Sequence, residues 1–222
     1  MDNKSNLAQL RYLEEVAVNL RRNAFEVERI EDQHLPVSWN GSYLCRISGK
    51  GSVLYRQEIV DALGAQAELD QVVDIANITR EYMTMMEYAP PLKAQGLNGD
   101  YRILADFNTS VLAGHPTEHG VQFVVWDWDF DKKGVSRGGY YQECYEAAKR
   151  DFVTRSCLLQ KDALFEPEQL KEMYHALNFV REQDESLTFG RDKELQELME
   201  QIQRLSPEAA KSMQEPTMEQ TM

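Results

Sequence analysis

Two short stretches of this chain hold residue types that could do chemistry together. His115-Pro116-Thr117-Glu118-His119 spells H-x-x-E-H, a pattern that on a helix puts two imidazoles and a carboxylate around zinc. The logic needs the helix, because only there do residues i and i+4 share a face. Here Pro116 lies inside the motif and Gly114 and Gly120 flank it, so 114–120 reads as a loop between strands and a zinc-protease site is not expected. A looser metal site remains open, with His115, Glu118 and His119 meeting carboxylates of the next strand, Asp127 and Asp129. The second stretch is Asp127-Trp128-Asp129-Phe130-Asp131. Carboxylates at period two share one face of an extended strand, which could hold Mg²⁺ or Ca²⁺ or shift one another's pKa. An EF-hand loop starting at Asp127 would need glycine at 132 and glutamate at 138, where the chain has Lys132 and Gly138. The favoured reading is a strand leaving the core, its aspartates solvated and paired with Lys132, Lys133 or Arg137.

Other candidates carry less. Gly49-Lys50-Gly51-Ser52 resembles a piece of a phosphate loop but lacks the spaced first glycine and sits between strands, so it reads as a hairpin turn. Cys45, Cys144 and Cys157 are odd in number and show no C-x-x-C spacing, so no disulfide framework is expected. Cys144 with His115 or His119 has no local support as a nucleophile pair. No catalytic residue and no cofactor is assigned. The aromatics are more informative. Trp126 and Trp128 share a strand face with Val124 and Phe130, and Tyr140 and Tyr141 follow closely. Whichever of Trp126, Trp128, Tyr140 and Tyr141 stay outside the core are expected to anchor an interface. Base stacking on such a face is disfavoured because no basic surround accompanies it.

Charge narrows the partner. The 222 residues carry a net charge of -13. Residues 161–222, with 7 basic and 14 acidic side chains, hold -7 of it. Such a chain repels nucleic-acid phosphates unless cations gather on one face, so a protein partner is expected and direct nucleic-acid binding is not. No apolar leader or long apolar span is present, which points to the cytoplasm and away from membranes. Oligomeric state is left open.

The elements that must position these residues follow from periodicity. Leu7, Leu10, Leu13, Val16, Ala17 and Leu20 form one helical stripe, capped by Ser5 or Asn6 and ending near Asn23. The period then falls to two. Asn40-Gly41 marks a tight hairpin between strands at 35–39 and 42–47, with a third strand at 52–56. A helix over 66–88 stops at Pro90-Pro91, and 90–98 reads as a linker. A second meander spans Tyr101–Phe107, Ser110–Ala113, Val121–Trp128 and a short edge strand at Gly138–Tyr141, followed by a helix at 142–156. Two further helices begin near Pro167 and around Leu195. The expectation is an α+β fold. It has an α-β-β-β-α module over 1–96, a β-meander-plus-helix module over 97–160, a helical extension over 161–206 and a disordered tail over 207–222.

Several runs carry a resemblance. They are Asp100-Tyr101-Arg102-Ile103-Leu104-Ala105, Val111 through Thr117, Gly120 through Val124, Trp126 through Asp131 and Ala147 through Phe152. With Leu35 through Gly41 and Leu44-Cys45-Arg46, they resemble uncharacterised proteins of gut Firmicutes and small accessory domains of large polyvalent proteins on conjugative elements. The resemblance covers about three quarters of the chain and implies a cytoplasmic protein encoded on mobile DNA. It brings no catalytic residue. The expected function is a non-catalytic accessory or adaptor protein acting through protein contacts. The alternatives are an anti-defence inhibitor with an acidic surface mimicking nucleic acid, and a metal-dependent hydrolase using His115, His119 and the Asp127–Asp131 run.

Overall fold

The computed structural model describes residues 2–161, 164–184 and 186–206. They build an α+β fold containing two four-stranded antiparallel sheets, each a simple meander in chain order. Residues 1–158 form one compact unit, and the chain from Leu159 onward forms a second.

Helix α1 (Asp2–Arg22) exists because its stripe has somewhere to go. Leu13, Val16 and Leu20 are completely buried, whereas Leu7 and Leu10, expected on the same stripe, stay exposed. The helix begins at Asp2, so Ser5 and Asn6 lie inside it and do not cap it. Strands β1 (Glu26–Val27), β2 (His34–Trp39), β3 (Ser42–Ser48) and β4 (Val53–Tyr55) form the first sheet. Asn40 and Gly41 take φ of 50° and 74°, the positive values that a two-residue hairpin demands, and Trp39 faces Ser42 across it. A seven-residue helix, α2 (Gln57–Leu63), follows. Periodicity does not announce it, because Val60 is its one buried residue.

Helix α3 (Gln66–Tyr88) joins the two halves of the first unit. Its 23 residues span about 34 Å at 1.5 Å per residue. Leu69, Val72 and Ala76 belong to the core under the first sheet, Tyr82 and Met86 to the core under the second, and Met83 packs against both. The expected boundary at 96 therefore falls inside a single compact unit.

The second sheet contains β5 (Arg102–Phe107), β6 (Ser110–Thr117), β7 (Gly120–Trp128) and β8 (Val135–Gln142), followed by α4 (Tyr145–Arg155). Alternation gives it two apolar faces. Leu112, Val121, Phe123 and Val125 meet α3 and the Tyr145, Ala148 and Phe152 face of α4. On the opposite face Val111, Ala113, Val124 and Trp126 are covered by Leu92 and Leu97. The segment expected as a linker is thus a strap. Its backbone is tied to the sheet by Leu92 N–H to Tyr101 O at 2.7 Å, Ile103 N–H to Pro90 O at 2.9 Å and Gln95 N–H to Lys133 O at 2.7 Å. The expected loop at 114–120 is strand almost throughout. Pro116 is tolerated because β5 reaches β6 only as far as Gly114, so the missing N–H falls at a free edge.

In the second unit α5 (Pro167–Gln183) and α6 (Phe189–Leu205) form a helical hairpin. A capping box between Glu166 and Gln169 starts α5 with Pro167 at its first turn. Thr188 caps α6 by accepting a hydrogen bond from the Arg191 N–H. Leu170 and Ile202 are buried together beside Tyr174 and Leu177, and Arg181 pairs with Asp192 at 2.7 Å. The segment 207–222, expected as a disordered tail, lies outside the described residues.

Candidate functional site

The H-x-x-E-H stretch forms the end of the β6–β7 hairpin. Thr117 faces Gly120, leaving Glu118 and His119 as a two-residue turn. The hairpin is pinned to α1 by a buried carboxylate. Glu15 accepts hydrogen bonds from the Val121 N–H and the Tyr82 hydroxyl, both at 2.8 Å. Asn19 donates to the hydroxyls of Tyr82 at 2.7 Å and Thr79 at 3.0 Å. Burial first, then the neighbouring Glu15 carboxylate, drives the Tyr82 hydroxyl far above the usual tyrosine range. Arg22 reaches the His119 carbonyl.

This placement separates the candidate metal ligands. The His115 ring stacks on Tyr101 with centroids 4.5 Å apart, and its Nδ1 lies 3.2 Å from the Asp100 carbonyl oxygen. His119 is exposed beside Glu118. Asp127 faces Ser110, five residues from His115 along β6, or about 16 Å of strand, and Asp129 lies further out. His115 and His119 therefore occupy one end of the hairpin, and Asp127 and Asp129 the other. Among the described residues no group of three or more His, Cys, Asp or Glu side chains gathers as a metal site. The candidate metal set is corrected on that geometry.

The aspartates do not form a stripe either. Strand β7 ends at Trp128, and the chain turns through Lys132 at φ 54°. Asp127 accepts from Ser110 Oγ at 3.3 Å and faces Arg137 at 3.9 Å and Arg155 at 4.0 Å. Asp131 pairs with Lys133 at 3.0 Å and Asp106 with Lys132 at 3.3 Å. The Lys133 side chain, then its backbone N–H, holds the Asp131 carboxyl below its usual range. On α4, Arg155 binds Asp151 at 2.8 Å and donates to the Arg137 carbonyl at 2.5 Å, fastening β8 to the helix.

The four aromatic candidates divide. Trp126 is 4% exposed and belongs to the core, edge-on to Tyr101 at 5.0 Å and to Tyr140 at 6.1 Å. Tyr141 is half-buried against the α3–α4 core. Neither is free to anchor a partner. Trp128 is half-buried, its Nε1 donating to Asp106 at 3.1 Å and its ring lying 5.8 Å from the Lys132 ammonium. Tyr140 is 69% exposed. Two further exposed aromatics of this second sheet and its turns were not anticipated as anchors. Phe130 is fully exposed in the β7–β8 turn, and Phe107 is half exposed at the end of β5. The Trp128 N–H reaches the Thr109 carbonyl at 2.7 Å, so Phe107, Trp128 and Phe130 lie at the same end of the sheet, Phe107 opposite Ser110 on the face away from Trp128, whose indole meets Asp106. The available signal was an aromatic residue set among turn residues, Asn108-Thr109 for Phe107 and Asp129 with Asp131 for Phe130. Among the described residues no helix is long and apolar enough to cross a membrane. The chain matches no protein-family model, no curated protein and no solved structure.

Proposed function

We propose that this protein is a non-catalytic accessory or adaptor protein of a mobile genetic element, acting through protein contacts in the cytoplasm. The observation that carries the reading is the exposed aromatic end of the second sheet. Phe130 projects wholly into solvent from the β7–β8 turn, and Phe107 is exposed at the same end of the sheet; aromatic side chains are enriched at protein interfaces. The rim mixes the Asp106–Lys132 and Asp131–Lys133 pairs, which suits a partner offering an apolar socket edged by both charges. A metal-dependent hydrolase would need His115 and Asp127 to converge, and an acidic mimic would need an unbroken carboxylate stripe. The hairpin separation and the neutralising cations favour neither.

The test is a pull-down of tagged protein from its host lysate, treated with nuclease, beside a Phe107→Ala, Phe130→Ala variant. A stoichiometric partner that survives nuclease and is lost with the variant is the expected result. Both rings are exposed, so the variant keeps the fold. A partner retained at full strength by the variant, or recovered only with nucleic acid intact, would overturn the reading.

A further inference from the structure

The hairpin of the second unit carries the residue pattern of half a helix bundle. Leu170, Tyr174, Leu177 and Arg181 of α5 recur at spacings of four, three and four, and Asp192, Leu195, Met199 and Ile202 of α6 at three, four and three. That is the a and d repeat by which two helices mesh. The seam closes in register. Leu170 and Ile202 share one cluster with Tyr174 and Leu177, and at the other end Arg181 binds Asp192 at 2.7 Å. With Leu170, Leu177, Leu195 and Ile202 at d, Met173 and Val180 of α5 and Leu198 and Leu205 of α6 all fall at g. Antiparallel helices bring their g positions to one flank of the seam and their e positions to the other. In this register the g residues alternate along their flank in the order Val180, Leu198, Met173, Leu205. All four are between 37% and 65% exposed. The e residues, Lys171, Asn178, Gln196 and Gln203, are polar.

A lone pair of helices needs apolar residues at a and d only. Apolar residues at a, d and g suit a helix that packs on two neighbours. Among the described residues the two helices bury Leu170, Leu195, Met199 and Ile202, one thin seam that gives a small unit little stability alone. The flank is large enough to complete it. The helices have 17 residues each. Two helices about 25 Å long and about 10 Å across present a face of about 500 Å². A pair of such faces buries about 1,000 Å², the size at which specific interfaces begin. Charge selects the occupant. Residues 161–222 hold -7 of the net charge, yet the c positions that border the flank are Gln169, Ala176, Gln183, Gln201 and Glu194. Glu194 is paired with Arg191, the g residue nearest the turn, at 2.9 Å. Glu168, Glu172, Glu182, Glu197 and Glu200 fall at b and f, turned away from the flank. A neutral apolar flank on an acidic hairpin gives a basic partner nothing to pair with. It lets a second acidic copy approach without like-charge repulsion.

We propose that a second copy of this chain covers the flank, the two hairpins packing g face on g face about a two-fold axis to make a four-helix bundle. The flank belongs to the second unit and the aromatic end to the first, so the dimer stands or falls independently of the adaptor reading. Sedimentation equilibrium of the full-length chain over about 1–100 µM should show the mass rising to twice that of one chain. Leu198→Glu sets a carboxylate in the middle of the flank and should weaken the dimer at least about tenfold. Gln203→Glu adds the same group on the polar flank and leaves the dimer unchanged. Circular dichroism reports whether Leu198→Glu keeps its helices. If it does not, the wild type decides the question. In a mixture of methyl-labelled and unlabelled chains, intermolecular NOEs should fall on Met173, Val180, Leu198 and Leu205. A wild-type mass that stays at one chain throughout, a dimer of full strength in folded Leu198→Glu, or intermolecular NOEs centred on Phe107 and Phe130 would overturn the proposal.

Discussion

Burial sets the ionisation of Cys45 and Tyr12, and through it the behaviour of the fold in alkali. Cys45 is completely buried in the first core, and desolvation pushes its thiol from 9.0 up to about 12. Tyr12 donates to the Ala76 carbonyl at 3.1 Å. Burial raises its hydroxyl from 10.0 to about 12, opposed by the nearby Arg80 charge. Tyr145 moves the same way, through burial and then the Glu81 carboxylate. In each case the folded chain keeps a proton that the unfolded chain releases. Stability is therefore complete below pH 9 and declines as pH rises toward 12. The slope is about 1.4 kcal/mol per pH unit for each group inside its window. Urea midpoints should fall steadily from about pH 9 upward, and Cys45→Ala should delay the fall to about pH 10, where tyrosine ionisation begins. A midpoint that stays level between about pH 8 and pH 11 would show that these groups ionise freely in the folded protein.

At the scale of elements, strand β8 shows where local chemistry limits substitution. Gly138 passes so close to the Trp126 indole that a Cβ would stand 2.6 Å from Nε1 and 2.9 Å from the Tyr140 ring. Trp126 is held in the core and cannot move aside cheaply, whereas the exposed Tyr140 ring can. Gly138→Ala should cost about 1–3 kcal/mol, read as a lowered urea midpoint with an unchanged slope. A variant as stable as the parent would mean that β8 lies further from the sheet face than it does here. The same strand shows what the sequence could and could not disclose. Tyr140 and Tyr141 read as strand from their aromatic, period-two character, but Gly138 and Gly139 read as the start of a short edge, since glycine lacks strand propensity. The glycines are there because the Trp126 and Arg155 side chains fill the space above them. That is a tertiary fact no local window contains. Pro90-Pro91 was legible as a helix stop and misleading as a linker for the same reason. The strap it opens is defined by the sheet face that Leu92 covers, far along the chain. The four aromatic candidates could be placed on strands from alternation alone. The burial of Trp126 depended on that strap, and that of Tyr141 on the α3–α4 face.

For the whole molecule, the question is how many bodies fold independently. Two meanders with a helix each suggest two modules, and the strand order of each sheet is complete within its own segment. The helices argue otherwise. Tyr82 and Met86 of α3 belong to the core under the second sheet, and Glu15 of α1 accepts from the Val121 N–H of β7. Cutting the chain after Gly96 would expose both α3 side chains, at about 1.5–3 kcal/mol each, and would strip the buried Glu15 of its backbone donor at a further 1–3 kcal/mol or so. Against a total stability of about 5–15 kcal/mol, that loss removes most of the margin. Cutting after Leu158 leaves the three largest cores whole. A 1–158 fragment should therefore unfold in urea as one cooperative transition with dispersed amide resonances. A 1–96 fragment should show a broad, shallow transition that begins at the lowest urea concentrations. If the 1–96 fragment instead melted cooperatively at the midpoint of the 1–158 fragment, α3 would be serving the second sheet as a docking strut added to an already finished domain, and the shared-helix account of this fold would have to be given up.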